Sequence, residues 1–237
     1  MTKAFVAGAT GYTGREVVRL LREADVEVTA HIRPDSSSRA KWEGVFAEQG
    51  AHISTAAWNL DAISEALATA SPDLVFALLG TTRARKDKAE NRDAETYEAV
   101  DYGLTAMLID ACVACGTSPG FVYLSSLGVT GSSPSAYIQA RWKAEQKLRT
   151  SGLRYVIARP AFISGDNRDE SRPLERIGAV SVDVGLGLLG ALGMKKLQAK
   201  YASMDNTTLA KGLVNTALAG LENQEVEPDA LRSAAED

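Results

Sequence analysis

A chain of 237 residues, 45% of them hydrophobic, has enough apolar material for one sizeable core, and its net charge of −4 leaves no nucleic-acid footprint. Two cysteines are too few for a disulfide framework, and the longest apolar stretch, residues 180–194, is broken by Asp183 and several glycines and is no membrane span. The first strand begins too early to leave room for a signal peptide, so a soluble cytoplasmic protein is expected.

Residues 4–7 read as a buried strand, and residues 15–22 as a helix marked by Val17, Val18, Leu20 and Leu21. Between them stands A-G-A-T-G-Y-T-G, residues 7–14. Strand, glycine-rich turn and helix form the context that a dinucleotide fingerprint requires. Gly8 permits the tight turn, Gly11 lets the backbone approach a pyrophosphate, and Gly14 lets the helix pack against the strand. The phosphates would sit on the N–H groups that open the helix. The spacing is G-x-x-G-x-x-G rather than G-x-G-x-x-G.

The second strand is expected at residues 26–32. A carboxylate at its end would bind a ribose 2′-hydroxyl and favour NAD. Here Arg33 holds that neighbourhood, followed by Ser36, Ser37, Arg39 and Lys41. A guanidinium and hydroxyls suit a phosphate, so NADP(H) is expected rather than NAD(H), with Asp35 the dissenting charge.

Residues 52–56 read as the third strand and 62–70 as a helix, ended by Pro72. Residues 73–79, D-L-V-F-A-L-L, read as the buried centre of a parallel sheet. A charged loop then runs to about residue 92. A long helix is expected over 94–115, with Ala99, Tyr102, Ala106 and Ile109 near one face and Gly116 closing it. Cys112 and Cys115 form a C-x-x-C at the helix's C-terminal end, where the dipole opposes a thiolate, and read as small core residues. The fifth strand is residues 120–125, the next helix 137–151, and the sixth strand 154–159, closed by Pro160. The alternation implies an α/β fold with a doubly wound parallel sheet, one NAD(P)-binding Rossmann domain over residues 1–221. Residues 161–205 are Gly-rich and irregular and are expected to cover the substrate side. Residues 208–221 read as a last helix and 222–237 as a disordered acidic tail.

The chemistry gathers after the fifth strand. Ser125, Ser126 and Tyr137 belong to the C-terminal edge of the sheet, the side of the glycine loop. A tyrosine hydroxyl acts as general acid or base at a carbonyl or alcohol when a fixed cation lowers its pKa. Arg141, four residues on, lies one turn away on the same helix face, whereas Lys143 projects from a different one. A serine hydroxyl could hydrogen-bond the substrate oxygen. His31 and His52 are too few and too scattered for a metal site.

With G-A-T-G-Y-T-G go L-G-T-T-R at 79–83, Y-L-S-S at 123–126, the Y-x-x-x-(basic) pair, and R-P at Arg159 and Pro160. Over residues 1–221 the chain resembles an atypical short-chain dehydrogenase/reductase. L-G-T-T-R and D-N-R-D-E-S-R-P at 166–173 make it most similar to the Tat-interacting-protein-like subgroup and related NAD(P)H-binding oxidoreductases. The resemblance implies that Gly8, Thr10, Gly11, Tyr12, Thr13 and Gly14 hold the diphosphate and that Arg33 meets the 2′-phosphate. It puts Asn59 and Leu60 where an Asp-Leu pair contacts adenine, and Leu79, Gly80 and Thr81 along the adenosine. Tyr137 and Ser126 match the catalytic tyrosine and serine, with Ser125 as an alternate, and the stretch from Arg159 through Pro160 to Ile163 passes near the nicotinamide. The family's lysine is Arg141 here, which keeps the charge in a larger, planar group.

The implied function is NADP(H)-dependent hydride transfer to or from a small carbonyl or alcohol. Two rivals stay open: an NADPH-binding regulatory or protein-interaction module with little turnover, and a nucleotide-sugar-type epimerase. Neither nucleic acid nor membrane is expected as a partner; a second copy of the chain or another protein is left open.

Overall fold

Short, apolar strands need cover on both faces, and here helices supply it. The computed structural model describes residues 1–80, 96–161, 163–164, 203–220 and 223–236. In chain order these residues form β1 (Lys3–Ala7), α1 (Tyr12–Glu23), β2 (Glu27–His31), α2 (Arg39–Glu48), β3 (His52–Ser54), α3 (Leu60–Ala70) and β4 (Leu74–Ala77). A π-helical segment, Tyr97–Leu104, then leads into α4 (Thr105–Ala114), β5 (Gly120–Leu124), α5 (Ala136–Arg149) and β6 (Tyr155–Ala158). The short β7 (Ile163–Ser164) and β8 (Met204–Asp205) pair with each other, and α6 (Asn206–Leu218), β9 (Gln224–Val226) and α7 (Pro228–Glu236) follow.

Among the described residues, seven strands make one parallel sheet in the order β3-β2-β1-β4-β5-β6-β9. Side chains alternate between its faces. Ala4, Val6, Phe76, Val122, Val156 and Ala158 pack with Val17, Val18 and Leu21 of α1, Phe46 of α2, and Leu209 and Leu213 of α6. Phe5, Ala7, Val75, Phe121, Tyr123 and Ile157 pack with Ile63 and Leu67 of α3, Leu108 and Cys112 of α4, and Leu148 of α5. This is the doubly wound Rossmann sheet, and the reversal of strand order at β1 and β4 leaves a crevice at their C-terminal ends, where such sheets bind ligands.

Three expectations change, and one element is unforeseen. The tail is not disordered: β9 extends the sheet beside β6, and α7 packs on α6 with Leu231 fully buried. The acidic composition hid this, because Val226 and Leu231 suffice as apolar anchors while Glu225 is paired with Arg149 and Arg159. Residues 39–48, for which the sequence predicts no element, form α2, whose buried side chains are Trp42 and Phe46. The long helix begins as a π-helix, which shifts its phase: Val100, Asp101 and Thr105 are buried, Ala99 and Ala106 are not, and of the expected face Tyr102 packs half-buried on the core and Ile109 is buried. The last helix starts at Asn206 because the Asp205 carboxylate accepts from the Thr208 N–H at 3.0 Å. Cys112 is buried as expected, and burial pushes its thiol up. Most of the irregular segment at 161–205 and the membrane-span reading at 180–194 lie outside the described residues; none of the described helices is long and apolar enough to cross a membrane.

Candidate functional site

The glycine loop follows β1 at the C-terminal edge of the sheet. Gly8 has φ +83°, and a Cβ there would sit 2.5 Å from Leu78 O of the neighbouring strand end. A Cβ at Gly14 would overlap Gly8 O, so α1 starts close against the turn. The Gly11 N–H is taken by Gly8 O at 2.9 Å. Gly11 is also the N-cap of α1 and offers no side-chain cap, and the first turn holds no acidic residue. The helix therefore opens with N–H donors and a positive dipole end facing the crevice, a cradle that fits a diphosphate. Thr13 is buried in that first turn and Thr10 half-buried before it, while the Tyr12 ring lies under the Arg15 guanidinium, 5.3 Å away. Tyr12 thus offers the loop its backbone.

Arg33 follows β2 at the same edge and is half-buried, with its Nη1 3.7 Å from the exposed Asp35 carboxylate. So loose and exposed a pair contributes little, about 0–1 kcal/mol at most. Asn59 is exposed and caps α3, its side-chain oxygen accepting from the Ala62 N–H at 2.9 Å; Leu60 is exposed beside it. Leu79 and Gly80 follow β4, and Thr81 lies outside the described residues.

The predicted Tyr137–Arg141 pair is present on α5. The Arg141 guanidinium carbon lies 5.2 Å from the Tyr137 ring centroid, and the Tyr97 ring closes on Tyr137 edge-on at 5.4 Å. Arg141 does more than accompany Tyr137. It is buried, its Nη2 donates to the Asp101 carboxylate at 2.9 Å and to Leu79 O at 3.3 Å, and its Nη1 donates to Leu124 O. The guanidinium thus ties the ends of β4 and β5 to the π-helical segment, beneath Gly80, whose missing Cβ leaves room for it. Burial works against the Arg141 charge, but Tyr137, Tyr123 and Asp101 outweigh it and hold the group protonated. Lys143 is spent elsewhere, on Glu98 at 2.7 Å.

The two serines differ. Ser125 is buried and donates its proton to Glu145 at 2.6 Å. Ser126 is half-buried, and among the described residues its hydroxyl makes one weak contact, to Leu127 O at 3.4 Å. Glu145 also binds Arg149 at 2.9 Å and Arg159 Nε at 3.0 Å. Burial pushes its carboxyl up, but the hydrogen bonds from Arg159 and Ser125, with the arginine charges, outweigh that and hold it below the usual range. Pro160 is buried and its carbonyl accepts from the Leu127 N–H at 2.9 Å, so the turns after β5 and β6 run side by side. Ile163 packs against the core on the α1 side.

Sequence reading missed Asp101 and Glu145. Glu145 continues the stripe of Tyr137 and Arg141 at the next four-residue step, a legible signal. Asp101 was hidden by the π-helical phase.

A family profile described as NAD(P)H-binding matches residues 8–181. The chain belongs to this NAD(P)H-binding family. It is 30% identical over 227 residues to the protein fmp52, mitochondrial, of Aspergillus clavatus, covering 94% of this chain and 89% of that one. Its fold is similar to that of the Bordetella bronchiseptica enzyme WbmH in complex with NAD+ (TM-score 0.63, 16% identity, 96% of this chain and 75% of that one). It is likewise similar to UDP-glucose 4-epimerase from Brucella ovis in complex with NAD (TM-score 0.65, 17% identity, 95% and 77%). At those identities the likeness is one of fold alone, the doubly wound Rossmann sheet. The expected cytoplasmic location is overturned, because family relatives in Aspergillus clavatus, Aspergillus terreus and Candida albicans are named mitochondrial proteins.

Proposed function

We propose that this protein is an NADP(H)-dependent oxidoreductase that passes a hydride to or from a small carbonyl or alcohol. One observation carries the reading: the uncapped glycine N-terminus of α1 opens on the sheet edge that also bears Ser126 and Tyr137. The bound nicotinamide supplies the hydride. Ser126 donates a hydrogen bond to the substrate oxygen and fixes it beside Tyr137. Tyr137 would give its hydroxyl proton to that oxygen when a carbonyl is reduced and take a proton from it when an alcohol is oxidised. Arg33 supports NADP(H) over NAD(H), since a 2′-phosphate is a better partner for a guanidinium than the distant Asp35 carboxylate.

The experiment is a screen of aldehydes, ketones and quinones with NADPH, repeated on Tyr137→Phe. The reading requires that the variant bind NADPH as the wild type does and lose about 10²-fold or more in turnover. Turnover unchanged in Tyr137→Phe sinks the mechanism.

A second reading, cofactor binding with little turnover, is favoured by the commitment of the Arg141 donors to Asp101, Leu79 O and Leu124 O. A guanidinium held that way is not the mobile ammonium of the family's lysine. Tight NADPH binding without reduction of any compound in the screen, together with a protein partner whose affinity changes with NADPH, would favour it.

A further inference from the structure

The glycine loop is held by a residue from the far end of the chain. Asn206 Nδ2 donates to Tyr12 O at 2.8 Å, across 194 positions of sequence. Tyr12 is the first residue of α1. Its carbonyl belongs to the same peptide group as the Thr13 N–H, which lies in the first turn, where a helix provides no acceptor of its own. A hydrogen bond accepted at a peptide carbonyl polarises that peptide and makes its N–H a stronger donor. The bond from Asn206 therefore fixes the Tyr12–Thr13 peptide plane and strengthens a donor at the mouth of the diphosphate cradle.

The contact is built. Asn206 is the first residue of α6, whose start is pinned by Asp205. The next residue, Thr207, donates from Oγ1 to Glu16 of α1 at 3.2 Å, and α6 packs along α1. Asn206 Oδ1 is left buried without a hydrogen-bond partner among the described residues. That unpaired oxygen is unfavourable, and the bond to Tyr12 O offsets it.

We propose that Asn206 is a positioning residue for the coenzyme diphosphate, acting through the Tyr12–Thr13 peptide. The inference rests on the coenzyme-binding reading above and adds to it a residue outside the glycine fingerprint.

Wild type, Asn206→Ala and Asn206→Asp are titrated with NADPH by nicotinamide fluorescence. Each is also titrated by competition with adenosine 2′-monophosphate, which carries no diphosphate (adenosine replaces it if NADH is the tighter coenzyme). Asn206→Asp keeps the size and suits the first turn of α6, where a carboxylate is favourable, but it cannot donate to Tyr12 O. Asn206→Ala is expected to weaken NADPH about two- to threefold, through a less polarised and less firmly held Thr13 donor, and Asn206→Asp at least as much, while adenosine 2′-monophosphate binds all three proteins alike. Asn206→Asp sets a carboxylate oxygen against Tyr12 O and is expected to melt below the wild type, so the ratio of NADPH to adenosine 2′-monophosphate affinity, not the melting temperature, is the readout. Unchanged NADPH affinity, or equal weakening of both ligands, overturns the proposal. A wild type that binds neither NADPH nor NADH refutes the parent reading, and this one with it.

Discussion

Gly14 and His31 show how single residues set the site. Gly14 brings α1 so close to the turn after β1 that any side chain meets Gly8 O. Gly14→Ala should cost about 1–3 kcal/mol by overpacking and push the helix start away from the crevice, so NADPH affinity falls together with the melting temperature. An unchanged affinity would show that the approach does not matter. His31 ends β2 beside the cofactor crevice, buried, with Nε2 2.8 Å from Ala56 O and its ring against Trp58. Burial lowers its pKa, and the Arg33 charge adds to the effect against the Ala56 hydrogen bond. Below about pH 6.5 the unfolded chain takes up a proton at this position and the folded one does not. Stability is therefore full above that pH and declines as pH falls through it. Melting curves from pH 7.5 to 5 should show the decline, and His31→Gln should flatten it; an equal slope in the variant would assign the decline to other groups.

At the scale of elements, charge does what apolar surface alone does not. Glu145 on α5 joins Ser125 after β5, Arg159 after β6 and Arg149, and both arginines reach Glu225 on β9. Glu145→Gln leaves the shape but removes the negative charge between the two arginines, which keep Glu225, and should destabilise by about 1–3 kcal/mol, read as a lower melting temperature. A melt at the wild-type temperature would contradict that weight. Removal of residues 224–236 should be worse, since it bares the β6 edge and uncovers the face of α6 that Leu231 buries. These elements also mark where sequence reading succeeds and fails. The apolar runs of β1, β4 and β5 were legible because a parallel strand buried on both faces has almost no polar positions. The Tyr137–Arg141 pair was legible from its four-residue spacing. Asp101 was not, because a π-helical segment breaks the period on which such spacing rests. α2, β9 and α7 were not, because each is anchored by one or two apolar residues among charges. The contact between Asn206 and Tyr12 spans the whole chain, and no local pattern signals it.

At the scale of the molecule, the parallel sheet brings four turns to one edge. The turn after β1 supplies the uncapped helix end, the turn after β2 supplies Arg33, and those after β4 and β5 are clasped by Arg141. The family match supports a nicotinamide coenzyme, and in the proposed function the choice between coenzymes falls to Arg33. The measurement that tests this most directly is titration of the purified protein with NADPH and NADH, followed by nicotinamide fluorescence. The account predicts NADPH binding at least tenfold tighter, about 1.4 kcal/mol, with the difference lost in Arg33→Ala. NADH binding as tight as NADPH, or a preference that survives Arg33→Ala, would contradict it.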